Sequence, residues 1–425
     1  MRWIDKFRHS RNGRKVETSE KDTYIMQVAA LCHDLGHGPF SHVFDNEFIP
    51  RVSQGMINWT HEEGSKTMFE YMLEENTNDM AHPLNDDLNN LMASNKESQF
   101  ILHTTPTKSR YMADLVSPMQ DKSDITLLDF QKEEKEMVFN MIDGVITKSE
   151  QMEQRQYLYQ IVANKKNSVD VDKFDYLGRD CQNLGLISSY DSSRLMEYSR
   201  VIDGDVCFSS KEVYNLYEMF HTRYNLHKQV YTHRVGKSVE YMITDALVEA
   251  DPYLKISEMI HRPEQYVHLS DSILYRIENS TEEELAKSRQ ILKRLKRRQL
   301  YKFVDEILLS TEKSQELGSV REVDITSCQD GDGQLLPGDI IIHNMKINYA
   351  LQDRNPVDHC LFYRFGNDSE KPFHIAKDQV SYLIPDKFIE RYIRVFVRDP
   401  RKLESAYKAF QNWVRKNKLA KQQTN

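Results

Sequence analysis

The stretch Ala30-Leu31-Cys32-His33-Asp34-Leu35-Gly36-His37-Gly38-Pro39-Phe40-Ser41-His42 constrains this chain more than any other. An apolar helix has to lead into it and stop there. Ser19 is an N-cap with Asp22 three residues on, a capping-box pattern. Ile25, Val28, Ala29 and Cys32 then recur at helical spacing as one buried stripe. Gly36 and Gly38-Pro39 end or bend that helix. His33 and Asp34 therefore sit at its end, with His37 and His42 on a glycine-broken loop. A helix C-terminus can carry a histidine simply because the dipole favours a cation there. Three histidines and an aspartate within ten residues, around two glycines, point instead to a site. Adjacent imidazole and carboxylate suit a divalent metal, and the further imidazoles suit proton transfer or phosphate.

Three downstream strings carry the same kind of side chain. In Asp170-Val171-Asp172-Lys173-Phe174-Asp175-Tyr176-Leu177-Gly178-Arg179-Asp180, helical spacing puts Asp172, Tyr176 and either Arg179 or Asp180 on one face, with Lys173 beside it. A solvated face laced with ion pairs fits that string equally well. In Trp59-Thr60-His61-Glu62-Glu63, Thr60 caps a helix with Glu63 closing its box, which places His61 at the helix start. Arg223, His227, Tyr231 and Arg234 recur at i, i+4, i+8 and i+11, a basic-aromatic stripe suited to phosphate and a nucleobase, or to solvent.

Taken in order, these strings resemble the HD-domain deoxynucleoside triphosphate triphosphohydrolases, and most closely their vertebrate branch that bears a sterile-alpha-motif domain. Met219-Phe220-His221-Thr222-Arg223 and Asn355-Pro356-Val357-Asp358-His359 extend the likeness to about Trp413. The resemblance implies cleavage between the deoxyribose 5′ oxygen and the α-phosphorus, giving a deoxynucleoside and inorganic triphosphate. It implies a divalent metal (Zn, Fe, Mn or Mg, not distinguished) on His33, Asp34 and Asp172. It places His37 and His42 at the α-phosphate and His61 in the active site. Lys173, Tyr176, Asp180, Arg223, His227 and Tyr231 match substrate contacts, and Thr232 stands near the base as a different residue from the family's. Arg200, Lys211, Asn215, His233, Arg234, Arg394 and Arg398 match contacts to regulatory GTP or dGTP bound between subunits of a homo-oligomer, or are ordinary surface charge. One departure stands out. The family carries a further metal-ligating His on a helix upstream, and here Phe7-Arg8-His9-Ser10 is followed by the turn signal Asn12-Gly13. The expectation is an upstream helix that is missing or shortened, leaving three protein ligands and a fourth position filled by water, with His9 as the alternative ligand.

The chemistry agrees with that reading. Lys173, Arg223 and a divalent ion can neutralise a triphosphate. The basic 5′ alkoxide needs a proton from a cationic histidine. His42 is the expected acid, oriented by Asp45, and His61 with Glu62 forms a second proton-handling pair.

The remaining sequence sets the frame. Of 425 residues, 39% are hydrophobic and 29% charged, with a net charge of −8, which reads as a soluble globular chain with no global attraction to nucleic acid. Lys293–Arg298 and Arg415–Lys418 are local basic stretches, read as solvated helix faces or as patches for single-stranded nucleic acid. No apolar run reaches the roughly 18–20 residues of a membrane span. The scattered Cys32, Cys181, Cys207, Cys328 and Cys360 suggest intracellular thiols, in nucleus or cytoplasm. Helical periodicity runs over 65–73, 134–146, 213–226 and 239–248, Asp251-Pro252 breaks the chain, and 282–309 reads as a charged helix or helix pair. Strands are expected at Asp339–Ile342 and Leu361–Phe365. The predicted fold is mainly α: an HD-type helical catalytic lobe over 1–255 with a loop-rich insertion at 84–126, a smaller α+β regulatory and oligomerisation lobe over 256–415, and a tail over 416–425. The expected function is metal-dependent dNTP hydrolysis with dGTP as substrate and activator. Two alternatives are an HD phosphohydrolase of another nucleotide and a catalytically impaired paralogue that binds nucleic acid or partners.

Overall fold

Ser19 opens the first long helix with a complete capping box: its hydroxyl accepts from the Asp22 N–H at 3.0 Å, and the Asp22 carboxylate accepts from the Ser19 N–H at 2.9 Å. Helix α1 (Glu20–Cys32) buries Ile25, Ala29 and Cys32 as the spacing predicts. The computed structural model describes Trp3 and residues 18–80, 130–146, 155–331, 335–364, 366 and 371–419. The expected insertion at 84–126, His9, and the last residues of the tail lie outside the described residues.

Helices α2 (His61–Met80), α3 (Lys132–Asp143), α4 (Val171–Leu184) and α5 (Val213–Leu226) follow. Helix α3 stops before the predicted Ile146. Gly144 takes the left-handed conformation (φ 62°), and a Cβ there would lie 2.2 Å from the Ala163 carbonyl oxygen. Helices α1 to α5 close on a core that includes Met26, Phe69, Val138, Met141, Leu177 and Phe220. A hairpin of β1 (Ser199–Ile202) and β2 (Asp205–Ser209) lies against it, turned by Asp203 and Gly204, both at positive φ. Asp-Gly is a strong two-residue hairpin signal that the helical periodicities around it obscured.

Helix α6 (Arg234–Leu254) corrects the predicted break at Asp251-Pro252. Pro252 lies in the last turn, where the helix is ending anyway, and the helix closes at Lys255 (φ 56°). Asp251 steadies that end by accepting from the Ser257 N–H and hydroxyl at 2.7 and 2.8 Å. After α7 (Ala286–Lys296), the expected helix over 282–309 gives way to strand β3 (Lys302–Leu309). Val304, Ile307 and Leu309 face a core, with an irregularity between Phe303 and Asp305 that breaks the strict alternation.

Strands β4 (Ile340–Asn348) and β5 (Leu361–Tyr363) begin at or next to the expected positions. The sequence reading missed β6 (Ile389–Val397) and α8 (Leu403–Lys416). A three-stranded antiparallel sheet in the order β3-β6-β4 is covered by Ala406, Ala409, Phe410 and Trp413 of α8. Strand β5 instead pairs in parallel with β2. Tyr349, Val357, Cys360, Phe362 and Phe388 thus return to the first core. The Asn355–His359 string belongs to this return. Asn355 caps the Val357 N–H at 3.2 Å and donates to the buried Tyr217 hydroxyl at 2.8 Å. A second core joins Val43, Phe44, Phe48 and Ile49 to α6, α7 and the residues between them, so apolar packing runs unbroken through residue 255. Among the described residues no helix is long and apolar enough to cross a membrane.

Replacing Asn355 with Ala should leave the Tyr217 hydroxyl unsatisfied in the core and cost about 1–3 kcal/mol. Chemical denaturation should show a lower midpoint with unchanged slope; an unshifted midpoint would remove this contact from the stability of the fold.

Candidate active site and metal centre

The loop after α1 can only form because two glycines leave room for it. A Cβ on Gly36 would lie 2.1 Å from the Ser65 backbone nitrogen and 2.2 Å from the His61 carbonyl oxygen, so the loop rests directly on the first turn of α2. Ser65 staples the contact: its hydroxyl donates to the His33 carbonyl at 2.7 Å and accepts from the Gly36 N–H at 2.9 Å. Tyr266 donates to the Gly36 carbonyl at 2.7 Å. Phe40 and Ser41 both hold positive φ, 61° and 51°, with the Phe40 N–H fixed by Asp271 at 2.8 Å. None of Ser65, Tyr266 and Asp271 was singled out from sequence. Ser65 alone had a signal, one helical turn beyond His61.

His33, Asp34 and Asp172 come together with their ligand atoms within 4.8 Å of one another. The His33 Nδ1 bonds the Ala30 carbonyl at 2.8 Å, which turns Nε2 toward the carboxylates, 3.4 Å from Asp172 and 3.4 Å from Asp34. Burial opposes a charge on His33, but the Asp172 hydrogen bond and the Asp34 charge outweigh it and raise its pKa to about 9. Asp172 is likewise desolvated, yet His33 and Lys173 hold it below the ordinary carboxylate value. One imidazole with a backbone-fixed tautomer and two anionic carboxylates make a donor set that fits a divalent cation.

Asp34 also reaches His37, at 3.5 Å, and so joins this group to a second one. His37, His42, Asp45 and His61 likewise lie within 4.8 Å of one another. The rings of His37 and His61 stack at 4.1 Å, and His42 stands edge-on to both. The sequence reading paired Asp45 with His42; the carboxylate is closer to His61, at 2.8 Å against 3.4 Å. Glu62, expected to serve His61, stands farther off at 3.6 Å. Burial works against the charge on Asp45, but hydrogen bonds from His42 and His61 hold it well below the usual carboxylate range. In return the Asp45 hydrogen bond raises the pKa of His42. Burial, then His61, lowers that of His37.

Helix α4 starts at Asp170, which accepts from the Lys173 N–H at 3.1 Å and pairs with the Lys173 ammonium at 3.2 Å. Burial disfavours that ammonium, while Asp170, Tyr176 and Asp172 keep it charged. Asp180, not Arg179, faces inward: it accepts from the Tyr231 hydroxyl, while Arg179 pairs outside with Asp175 at 3.0 Å. Arg223 donates to the Asn348 carbonyl at 2.6 Å, and its Nε is buried with no partner among the described residues. His227 and Tyr231 lie on a π-helical turn, His227–Tyr231, rather than on a continued α-helix. The extra residue ends the predicted i+11 stripe. Arg234 starts α6 and stacks over Phe303 at 5.3 Å instead. Burial, then Arg223, lowers the His227 pKa to about 3, so its ring is neutral.

The seven expected regulatory residues fall on two parts of the fold. Arg200 lies over Tyr363 at 4.5 Å, Lys211 is exposed, and Asn215 donates to Glu212 and to the Asp191 carbonyl, each at 3.0 Å. His233 caps α6 by accepting from the Val235 N–H. Arg394 bonds Glu306 at 2.6 Å and the Thr232 carbonyl, and Arg398 bonds Asp245 at 2.7 Å.

The HD domain family model matches residues 9–177, starting at His9, and the model of the HD associated region matches residues 190–328. The chain is 40% identical over 406 residues to the Deoxynucleoside triphosphate triphosphohydrolase SAMHD1 homolog of Dictyostelium discoideum, covering 96% of this chain and 68% of that protein. It is 34% identical over 434 residues to the Homo sapiens Deoxynucleoside triphosphate triphosphohydrolase SAMHD1, covering 96% and 63%, and 35% identical to the Bos taurus protein, covering 96% and 67%. The chain thus spans about two thirds of the length of these relatives. It belongs to the SAMHD1 family of deoxynucleoside triphosphate triphosphohydrolases.

Gly36→Ala should push the loop off α2 at a cost of about 3 kcal/mol. A thermal melt should show a clear drop, and an unchanged melt would deny the contact. In Asp45→Asn the His42 proton should be lost at lower pH, because the anion that raises its pKa is gone. Histidine NMR titration checks this; a midpoint that stays put or rises contradicts it.

Proposed function

We propose, from that family membership, that the chain hydrolyses deoxynucleoside triphosphates to a deoxynucleoside and inorganic triphosphate, with dGTP as a substrate. The observation that carries the reading is the junction at Asp34, where a metal-type donor set and a histidine group meet at one carboxylate, with half-buried Lys173 and Arg223 in the same site. A divalent cation held by His33, Asp34 and Asp172 would supply charge neutralisation and an activated water when bound.

The chain's own residues do the rest. Lys173 and Arg223 bind phosphate oxygens, the buried Nε of Arg223 having no acceptor among the described residues. His42 holds a proton that its Asp45 partner keeps in place, and gives it to the 5′ oxygen as the P–O bond breaks. The oxygen of water ends on the α-phosphorus, and the 5′ oxygen leaves as a hydroxyl. His61, set by Asp45 and stacked on neutral His37, handles the second proton. Neutral His227, Tyr176 and the Tyr231–Asp180 pair receive the sugar and base side. Regulation by GTP or dGTP through Arg200, Lys211, Asn215, His233, Arg234, Arg394 and Arg398 in a homo-oligomer remains part of this proposal.

Incubation with dGTP and chromatography of the products tests it. Inorganic triphosphate with deoxyguanosine is the expected pair; dGMP with pyrophosphate would overturn the reading in favour of another HD phosphohydrolase. His42→Ala should lower turnover about 10²–10⁴-fold with the fold intact. Asp172→Asn should lower the divalent metal found by elemental analysis of the purified protein, and undiminished metal would remove Asp172 from the centre.

A further inference from the structure

Two five-residue π-helical turns carry site residues. Phe44–Phe48 holds Asp45, and His227–Tyr231 holds His227 and Tyr231. A π turn forces an extra residue into a helix and persists only where its surroundings hold it. Phe44 and Phe48 hold the first from the apolar side, fully buried in the second core. Its polar side is held by Glu47, two residues beyond Asp45.

Glu47 lies 3.3 Å from the Lys237 ammonium and 3.8 Å from Arg51. Lys237 stands near the start of α6, the helix that begins just after the second π turn, and its N–H donates to the His233 carbonyl at 2.9 Å. The Lys237 side chain is only 11% exposed. It also pairs with Glu240 at 2.6 Å and lies over the Tyr241 ring at 5.0 Å. Arg51 is fixed in turn by Asp245 at 2.5 Å and also faces Tyr241. Nothing in helix stability asks for this lysine. A cation near a helix N-terminus opposes the dipole, and a buried ammonium loses hydration. Two carboxylates offset that cost, Glu240 on its own helix at 2.6 Å and Glu47 at 3.3 Å, and the pair with Glu47 is the one that ties α6 to the first π turn.

We propose that Lys237 is a positioning residue: by gripping Glu47 it locks the turn that carries Asp45 to the helix that follows His227 and Tyr231, and so sets where Asp45 meets His61. The proposal rests on the reading of Asp45 and His61 as proton-handling groups. It concerns placement alone: among the described residues the Lys237 ammonium pairs with Glu47 and Glu240, not with His42, His61 or the His33, Asp34 and Asp172 group.

The test uses the full chain labelled with [15N]histidine, with Lys237→Met, Lys237→Arg and Glu47→Gln. The His61 Nδ1 resonance reports its hydrogen bond to Asp45, and kcat and KM are measured with dGTP. Lys237→Met should move that resonance and lower kcat about ten-fold with KM within about two-fold, because misplacement acts on the chemical step. Lys237→Arg should restore both. A folded Lys237→Met protein with an unmoved His61 signal and unchanged kcat overturns the proposal. So does a fall in melting temperature alone. If Lys237→Met fails to fold, Glu47→Gln must shift His61 in the same way, and an unmoved signal there is equally fatal. Should the parent chain release no triphosphate, the functional reading fails, and the His61 resonance still decides the clamp.

Discussion

The contact between Gly36 and the backbone of α2 is what the rest of the site depends on. It brings the loop behind α1 within touching distance of the helix that begins at His61. Without it, His33 and Asp34 would belong to one element and His61 to another, with no fixed relation. Ser65 and Tyr266 add directional hydrogen bonds to the same contact. Because Ser65 is fully buried and its hydroxyl is spent on the His33 carbonyl and the Gly36 N–H, the role of this pair is geometric. They convert two helix ends into one surface that carries four imidazoles.

Electrostatics then sorts those imidazoles. Rings stacked at 4.1 Å cannot both be cations at low cost, and burial tilts His37 to the neutral form. His33 leans the other way because two carboxylates surround it. Those same carboxylates would hold a divalent ion in exchange for the proton, so proton and metal compete for one position. The Asp45 hydrogen bond raises the His42 pKa, while burial and then Arg223 lower that of His227. The site thus pushes neighbouring imidazoles in opposite directions, which is what separate acid and neutral binding roles require.

Much of this was legible in the sequence for a simple reason: its signals are local. The Ser19–Asp22 box, the apolar stripe of α1 and the glycines after His33 depend on neighbours in the chain, and the His-Asp strings carry their spacing with them. What escaped was set by distant parts. Strand β6 reads as a mixed charged-apolar run until β3 and β4 flank it. Lys302–Leu309 looked helical because its charges continue those of α7, and only the ladder to β6 makes it a strand. The return of β5 to β2 crosses some 150 residues, beyond any periodicity. Asp45 was paired with the nearer histidine in sequence, and a π turn then aimed it at His61.

The second π turn explains why the basic-aromatic stripe was misjudged beyond Tyr231. A straight α-helix would have carried Arg234 round to the same face as Arg223 and His227. The extra residue in His227–Tyr231 ends the helix at Thr232, whose hydroxyl bonds the His227 carbonyl at 2.7 Å. Arg234 then opens a new helix against Phe303. The change removes one cation from a wall that already holds Lys173 and Arg223. A third nearby cation would further depress His227 and compete with Lys173 for Asp170 and Asp172. Under-winding one turn therefore does two things at once: it presents Tyr231 to Asp180, and it leaves Lys173 and Arg223 without Arg234 beside them.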